Sequence, residues 1–238
     1  MWRGSTWRRD SKEHQFNLAR GSVCVSQLLI RARIVWALKY MEKKGLNYGY
    51  SGNMSARAAP DAYLITPSGV RKAEVKPEDL LLVDGEGRII EGAGKPSVEL
   101  PLHLAIYKVR PDVNAIIHAH PIYATVLSVL RLDLEPIVEE LALYVGGSVR
   151  VADYAPSGTE KLAENVLRAL GDRNAAILAN HGILACGNDV DEALNVLECV
   201  ERAAQIYLLA RLTGEPTKLP KEVVELEVVL FKRKREHR

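Results

Sequence analysis

A chain of 238 residues with 47% hydrophobic and 26% charged side chains has the make-up of an ordinary globular protein with room for a sizeable core. No apolar run approaches the roughly 20 residues that span a bilayer. The three cysteines (Cys24, Cys186, Cys199) are widely spaced and odd in number, which argues against a disulfide framework, so a reducing cytoplasmic setting is expected.

The net charge of +2 is uneven. Residues 1–20 hold five basic and two acidic side chains and residues 231–238 hold five and one, leaving the rest of the chain at −5. Basic ends can touch nucleic acid or anionic lipid, but solvated ends are the simpler reading, and neither nucleic acid nor membrane is expected as a partner. The opening stretch lacks the apolar segment and small-residue cleavage site of a secretory signal. Residues 1–25 are therefore expected to form a disordered extension, 26–225 a single domain and 226–238 a basic tail.

In chain order, Leu29, Ile30, Ile34, Ala37, Leu38 and Met41 recur at helical spacing over 26–44, and Gly45 ends the run. Residues 48–55 form a glycine-rich turn, and Tyr63–Thr66 reads as a strand entering the turn Pro67-Ser-Gly69. Leu80–Val83 and Arg88–Glu91 flank Asp84-Gly-Glu-Gly87 as a hairpin. Leu100–Lys108 is predicted helical despite Pro101, since proline is tolerated in a first turn. A strand over 114–119, a helix over 121–130 and a strand over 148–153 follow. Ser157-Gly-Thr-Glu160 has the form of a capping box opening a helix to about Leu170. Two short buried strands, 175–179 and 183–186, surround Asn180-His-Gly182. A long helix spans 189–213, with Ala193, Val196, Leu197, Val200, Ala203, Ala204 and Tyr207 on its inner stripe. Hairpins mixed with helices imply an α/β sandwich with a sheet at least partly antiparallel. Neither a G-x-G-x-x-G fingerprint after a strand nor a Walker phosphate loop is present.

Three of the six histidines have a chemical rationale. His118 and His120 end a strand, where positions i and i+2 share a face and can converge on one ion. His181 sits beside Gly182 in a turn between strands. Glu99, just before a helix, can complete the set as fourth ligand or catalytic base. Three imidazoles with one carboxylate suit zinc, and manganese, cobalt or iron would also be held. The plain alternative is a group of histidines bonded to backbone. His103, four residues after Glu99 on the same helix face, is either a partner that supports the site or a satisfied core histidine, and the latter is expected.

The ordered motifs Gly45-Leu-Asn-Tyr-Gly-Tyr-Ser-Gly-Asn53, Leu64-Ile-Thr-Pro-Ser-Gly69, Gly94-Lys-Pro-Ser-Val-Glu99, His103, Arg110–His120, Tyr154-Ala-Pro-Ser-Gly-Thr159 and Asn180-His-Gly182 give the chain, over roughly 28–215, a resemblance to the class II aldolase/adducin family. The resemblance implies a three-layer α/β/α sandwich around a mostly antiparallel sheet. It implies one zinc ion per subunit on His118, His120 and His181, with Glu99 as ligand and acid/base. The implied reaction is reversible cleavage of a ketose 1-phosphate, of the L-fuculose 1-phosphate kind, to dihydroxyacetone phosphate and an aldehyde through a metal-stabilised enediolate. A phosphate cradle is implied at Gly52, Asn53, Ser68, Gly69, Ser97 and Val98, built of backbone amides and hydroxyls with no large positive charge required. A homotetramer with sites at subunit interfaces is also implied.

The family offers alternatives: a methylthioribulose-1-phosphate dehydratase, a decarboxylase, an epimerase (disfavoured, because family epimerases carry aspartate at the position of Glu99), or a non-catalytic adducin-head module. Val98 stands where the aldolases have a second serine. The tail lacks the tyrosine that assists proton transfer in the aldolases, and a second helper tyrosine aligns with the stretch Val138–Leu141, so Glu139 or Glu140 is the candidate substitute.

Overall fold

A computed structural model describes residues 10–236, with side chains from Val25 onward. Its elements are α1 (Asp10–Lys43), β1 (Asn53–Ala59), β2 (Ala62–Ile65), β3 (Leu81–Asp84), β4 (Ile89–Glu91), α2 (Leu100–Val109), β5 (Ala115–Ala119), α3 (Ile122–Leu130), β6 (Arg150–Ala152), α4 (Glu160–Leu170), β7 (Ala175–Leu178), β8 (Gly182–Gly187), α5 (Val190–Thr213) and α6 (Lys221–Glu236). The strands form one sheet in the order β4-β3-β2-β1-β5-β8-β7-β6. Every pairing is antiparallel except β6 with β7.

Strand alternation sorts the core into two layers. Met54, Ala56, Ile117, Ile177 and Ile183 pack with α1, α3 and α5 on one face of the sheet. Tyr63, Ile65, Ile116, Leu178 and Leu184 pack with α2 and α4 on the other. The expected three-layer α/β/α sandwich is thus the observed one. His118 and His120 have the parity of Ile116, and Asn53 and Ser55 lie opposite to Met54 and Ala56, so all four sit on the α2 side.

Four features differ from expectation. The residues read as a turn over 48–55 run into β1, which lies between β2 and β5. Asn53-Met-Ser-Ala-Arg57 has no β-branched or aromatic residue, so its strand character comes from pairing on both edges and not from propensity. The cap of α4 is Thr159, whose hydroxyl accepts from the Leu162 N–H, not Ser157. The extension expected over 1–25 falls partly outside the described residues, and from Asp10 it is helical; only Gly21 in that stretch resists a helix. The expected basic tail is mostly α6. Val224, Val228 and Phe231 recur at helical spacing on its inner side, and Phe231 is buried against a π-helical turn, Leu141–Val145, and Gly146.

Candidate metal centre and substrate cavity

The antiparallel order brings three chain segments to one end of the sheet. β5 ends at Ala119, β1 begins at Asn53 opposite His118, and the β7–β8 turn carries His181 beside them. Two glycines make the approach possible. A Cβ on Gly52 would stand 2.6 Å from the His118 carbonyl oxygen, and one on Gly182 would stand 2.7 Å from the His120 ring. Glu99 is the N-cap residue of α2, which places its carboxylate over the same sheet end.

His118, His120 and His181 form a cluster that can hold a metal ion. His118 Nδ1 lies 3.0 Å from the Ile183 carbonyl, to which it donates, which leaves Nε2 as the ring nitrogen available to a metal. That Nε2 stands 2.8 Å from His120 Nε2 and 3.3 Å from His181 Nε2. Nitrogen donors around a tetrahedral ion at about 2.0–2.1 Å are ~3.3 Å apart, close to these separations. Burial, with His118 and His181 nearby, pushes the His120 pKa down to about 3, and burial with His118 also lowers that of His181. Neutral imidazoles are the ligand form.

Glu99 Oε2 lies 3.3 Å from His118 Nε2, and Oε1 lies 3.6 Å from His181 Nε2. Burial works to raise the carboxyl pKa, but His118, the Asn53 hydrogen bond and His181 outweigh it and hold the pKa below the usual glutamate value. Oε2 accepts from Asn53 Nδ2 at 2.8 Å, whereas Oε1 is buried without a hydrogen-bond partner. A buried carboxylate that meets ring nitrogens of His118 and His181, with one oxygen lacking a hydrogen-bond partner, fits a cation held between them.

Behind Glu99 runs a buried chain of hydrogen bonds. Asn53 Oδ1 is 2.6 Å from His103 Nε2, His103 Nδ1 is 2.6 Å from Ser55 Oγ, and Ser55 Oγ is 2.8 Å from the Tyr107 hydroxyl. Since Asn53 donates to the carboxylate, its carbonyl must accept from His103, which leaves Nδ1 to accept from Ser55 and Ser55 to accept from Tyr107. Burial pushes the His103 pKa down to about 3, in keeping with this neutral tautomer. His103 is therefore more than a satisfied core histidine: it orients the side chain that tethers Glu99. Two spacings carry this chain in the sequence. Asn53 and Ser55 are two apart on a strand face, and Glu99, His103 and Tyr107 are four apart on a helix.

A cavity of about 160 Å³ gathers all the residues expected at the site. The metal-site side chains form one part of its wall, and Gly52, Asn53, Ser68, Gly69, Ser97 and Val98 form another. Asn53 uses its side-chain oxygen toward His103 and one N–H toward Glu99. Tyr50, Lys72 and Ser157 also line the cavity and were not singled out by sequence. Glu139 and Glu140 are exposed, and Glu140 lines a separate cavity with Glu198 and Arg202. Neither lines the cavity that holds the metal-site side chains.

The sequence profile of the Class II Aldolase and Adducin N-terminal domain matches residues 32–208. A 5-deoxy-D-ribulose 1-phosphate aldolase of Bacillus thuringiensis serovar kurstaki is 40% identical over 196 residues, covering 82% of this chain and 92% of that protein. The L-fuculose phosphate aldolase of Escherichia coli K12 is 37% identical over 192 residues, covering 81% and 88%. A solved L-fuculose 1-phosphate aldolase superposes with a TM-score of 0.82 at 41% identity, covering 85% of this chain and 96% of that one. No helix among the described residues is long and apolar enough to cross a membrane. On the match of its sequence and of its fold, the chain belongs to the class II aldolase and adducin family.

Proposed function

We propose that this protein is a zinc-dependent aldolase that cleaves a ketose 1-phosphate reversibly to dihydroxyacetone phosphate and an aldehyde. The observation that carries the reading is Glu99 Oε1, buried without a hydrogen-bond partner beside the His118, His120 and His181 cluster and two positions from Ser97 in the cradle wall. His118, His120 and His181 would hold the ion, with Glu99 as a further ligand. Bound there, zinc supplies Lewis acidity, drawing charge from the oxygens of the substrate's hydroxyketone. Oε2, held by Asn53, fixes the carboxylate plane, so Oε1 is the atom that takes or returns the proton at the carbon where the bond breaks. The cradle turns hold the phosphate and set the reacting carbon against Glu99.

The two relatives named above are a 5-deoxyribulose 1-phosphate and a fuculose phosphate aldolase. Such ketoses share the phosphorylated three-carbon end and differ in the aldehyde, so the class of substrate is better supported than its length. Exposure of Tyr50 (63%) and Val98 (65%) at the cavity supports an assembly, by the family resemblance a homotetramer, in which a neighbouring copy closes the site.

The test couples dihydroxyacetone phosphate release to NADH oxidation in zinc-loaded protein, with fuculose 1-phosphate and 5-deoxyribulose 1-phosphate as substrates. Turnover of at least one is expected, falling about 100-fold or more in Glu99→Gln with metal retained. Silence on both from protein carrying stoichiometric zinc would overturn the reading.

A further inference from the structure

Among the described residues, four formally charged side chains other than histidine are buried: Arg31, Lys72, Glu99 and Arg110. Arg31 is paired with Glu91 at 2.8 Å, and Arg110 with Asp112 at 2.8 Å. Glu99 faces the metal-site imidazoles. Lys72 is 4% exposed, no acidic side chain among the described residues pairs with it, and burial alone pulls its pKa below the usual lysine value. A cation out of water without a counter-charge is unfavourable, and the two carbonyl oxygens it meets carry no net charge.

Its setting shows where that counter-charge belongs. Lys72 opens the 3₁₀ turn Lys72–Glu74, and its backbone N–H donates to the Gly49 carbonyl at 2.8 Å, next to the loop that ends in Gly52 and Asn53. Its ammonium donates to Pro67 O at 3.3 Å and to Val70 O at 3.1 Å. Those two carbonyls bracket Ser68 and Gly69, so the ammonium is fastened beneath the turn that forms one wall of the cradle. An ammonium has three donors, and these bonds use two. Lys72 lines the same cavity as Ser68, Gly69, Ser97 and Glu99. The cavity thus contains two buried charges of opposite sign: Glu99 meets the metal-site imidazoles, and Lys72 has no acidic side chain against it among the described residues.

We propose that Lys72 is the counter-cation of the substrate's phosphate, and that it makes the site selective for phosphorylated over unphosphorylated ketoses. A phosphate monoester brings a charge of about −1.5 to −2 at neutral pH, which backbone N–H groups and the Ser68 and Ser97 hydroxyls meet only with dipoles. Val98 removes one hydroxyl from that set, and the buried ammonium supplies a full charge in its place. The proposal deepens the aldolase reading and rests on it for the identity of the anion.

The experiment compares wild type, Lys72→Met and Lys72→Gln by steady-state kinetics on a ketose 1-phosphate, metal content, and thermal melting with inorganic phosphate as the probe. In Lys72→Met, KM is expected to rise roughly 10- to 100-fold, the loss of one charge-assisted hydrogen bond, with kcat within about threefold and zinc content unchanged. The rise in melting temperature that phosphate gives the wild type should disappear. Lys72→Gln keeps donors for the two carbonyls without the charge, so it should fold where Met does not and still lose the phosphate response. A lower melting temperature with unchanged KM and an intact phosphate response would make Lys72 a fastener of the turn and overturn the proposal. Wild-type activity with both variants unaffected sinks Lys72 alone. Wild-type protein inactive on ketose phosphates, with a phosphate response that Lys72→Met abolishes, sinks the aldolase reading and keeps Lys72.

Discussion

The two ends of the cavity are built in opposite ways. At the metal end each side chain is aimed by another: the Ile183 carbonyl fixes the His118 ring, and Asn53 fixes Glu99 and is itself fixed by His103. At the phosphate end the wall is turns. Ser97 is buried there, but Ser68, Gly69 and Val98 are exposed, and Lys72 is the one buried charge. An end made of interlocked side chains tolerates little change and sets the reaction. An end made of backbone amides accepts variation and sets which substrate is held.

The largest effect should follow from breaking the rigid end. His118→Ala removes the ligand shared by both close nitrogen pairs, and with it the nearer of the two imidazoles that meet Glu99. Loss of stoichiometric metal is expected, with activity down by about 10³-fold or more, because the Lewis acid supplies several kcal/mol of transition-state stabilisation. Metal analysis with the coupled assay reads both. A variant that kept its zinc and most of its turnover would mean that the metal end is not the catalytic end.

This difference also explains what could be read from the sequence. A histidine pair at strand spacing, a third histidine beside a glycine and a carboxylate before a helix are all signals in residue type, and the structure places them within one cluster. The fold was legible for the same reason, since hairpin turns and helical stripes are local patterns. β1 was not, because Asn53–Ala59 owes its strand form to neighbours on either side. Lys72 was not, because nothing in the sequence distinguishes a buried lysine in a turn from a solvated one. α6 was hidden by its charge: the eye takes Lys232–Arg235 as a solvated run, while one apolar stripe ending in Phe231 holds the helix to the domain.

A middle-sized effect comes from loosening the metal end without touching a ligand. His103→Leu cuts the hydrogen-bond chain, leaving Asn53 free to turn and Glu99 Oε2 untethered. A fall in kcat of about 10- to 100-fold is expected, the scale of groups that orient ligands, with KM nearly unchanged. His103→Gln, which can still donate to Asn53, should recover part of it. Metal-free protein gives a second readout. His103 is held neutral with a pKa of about 3 against 6.5 in the unfolded chain. Between those values the unfolded chain takes up a proton that the folded chain refuses, so stability falls with pH below 6.5, by up to about 1.4 kcal/mol per pH unit for this group. His103→Leu should flatten that slope by one proton. An unchanged slope together with an unchanged kcat would reduce His103 to packing.

The smallest effect on activity should come from the region that shares nothing with either end. Phe231 is 4% exposed, lies against Gly146, and has the Arg235 guanidinium 5.4 Å from its ring centroid, while Arg235 also pairs with Asp112 at 2.7 Å. These contacts hold α6 to Gly146, just after the π-helical turn, and to Asp112, and none of them involves a residue lining the metal cavity. Phe231→Ala removes the ring from a buried site whose neighbours on α6, Leu226, Val229 and Leu230, are already exposed, so the helix has no other anchor of that size. A loss of roughly 3 kcal/mol is expected, at the low end of the range for such truncations because the site lies near the surface and can close. Urea denaturation reads the loss, and kcat, KM and metal content should stay within about twofold of wild type, as for changes far from a site. A larger change in KM would couple α6 to the phosphate end, and a larger change in kcat would couple it to the metal end. Either result would show that the contrast between those ends is not set within the cavity alone but depends on how the chain's last helix is seated.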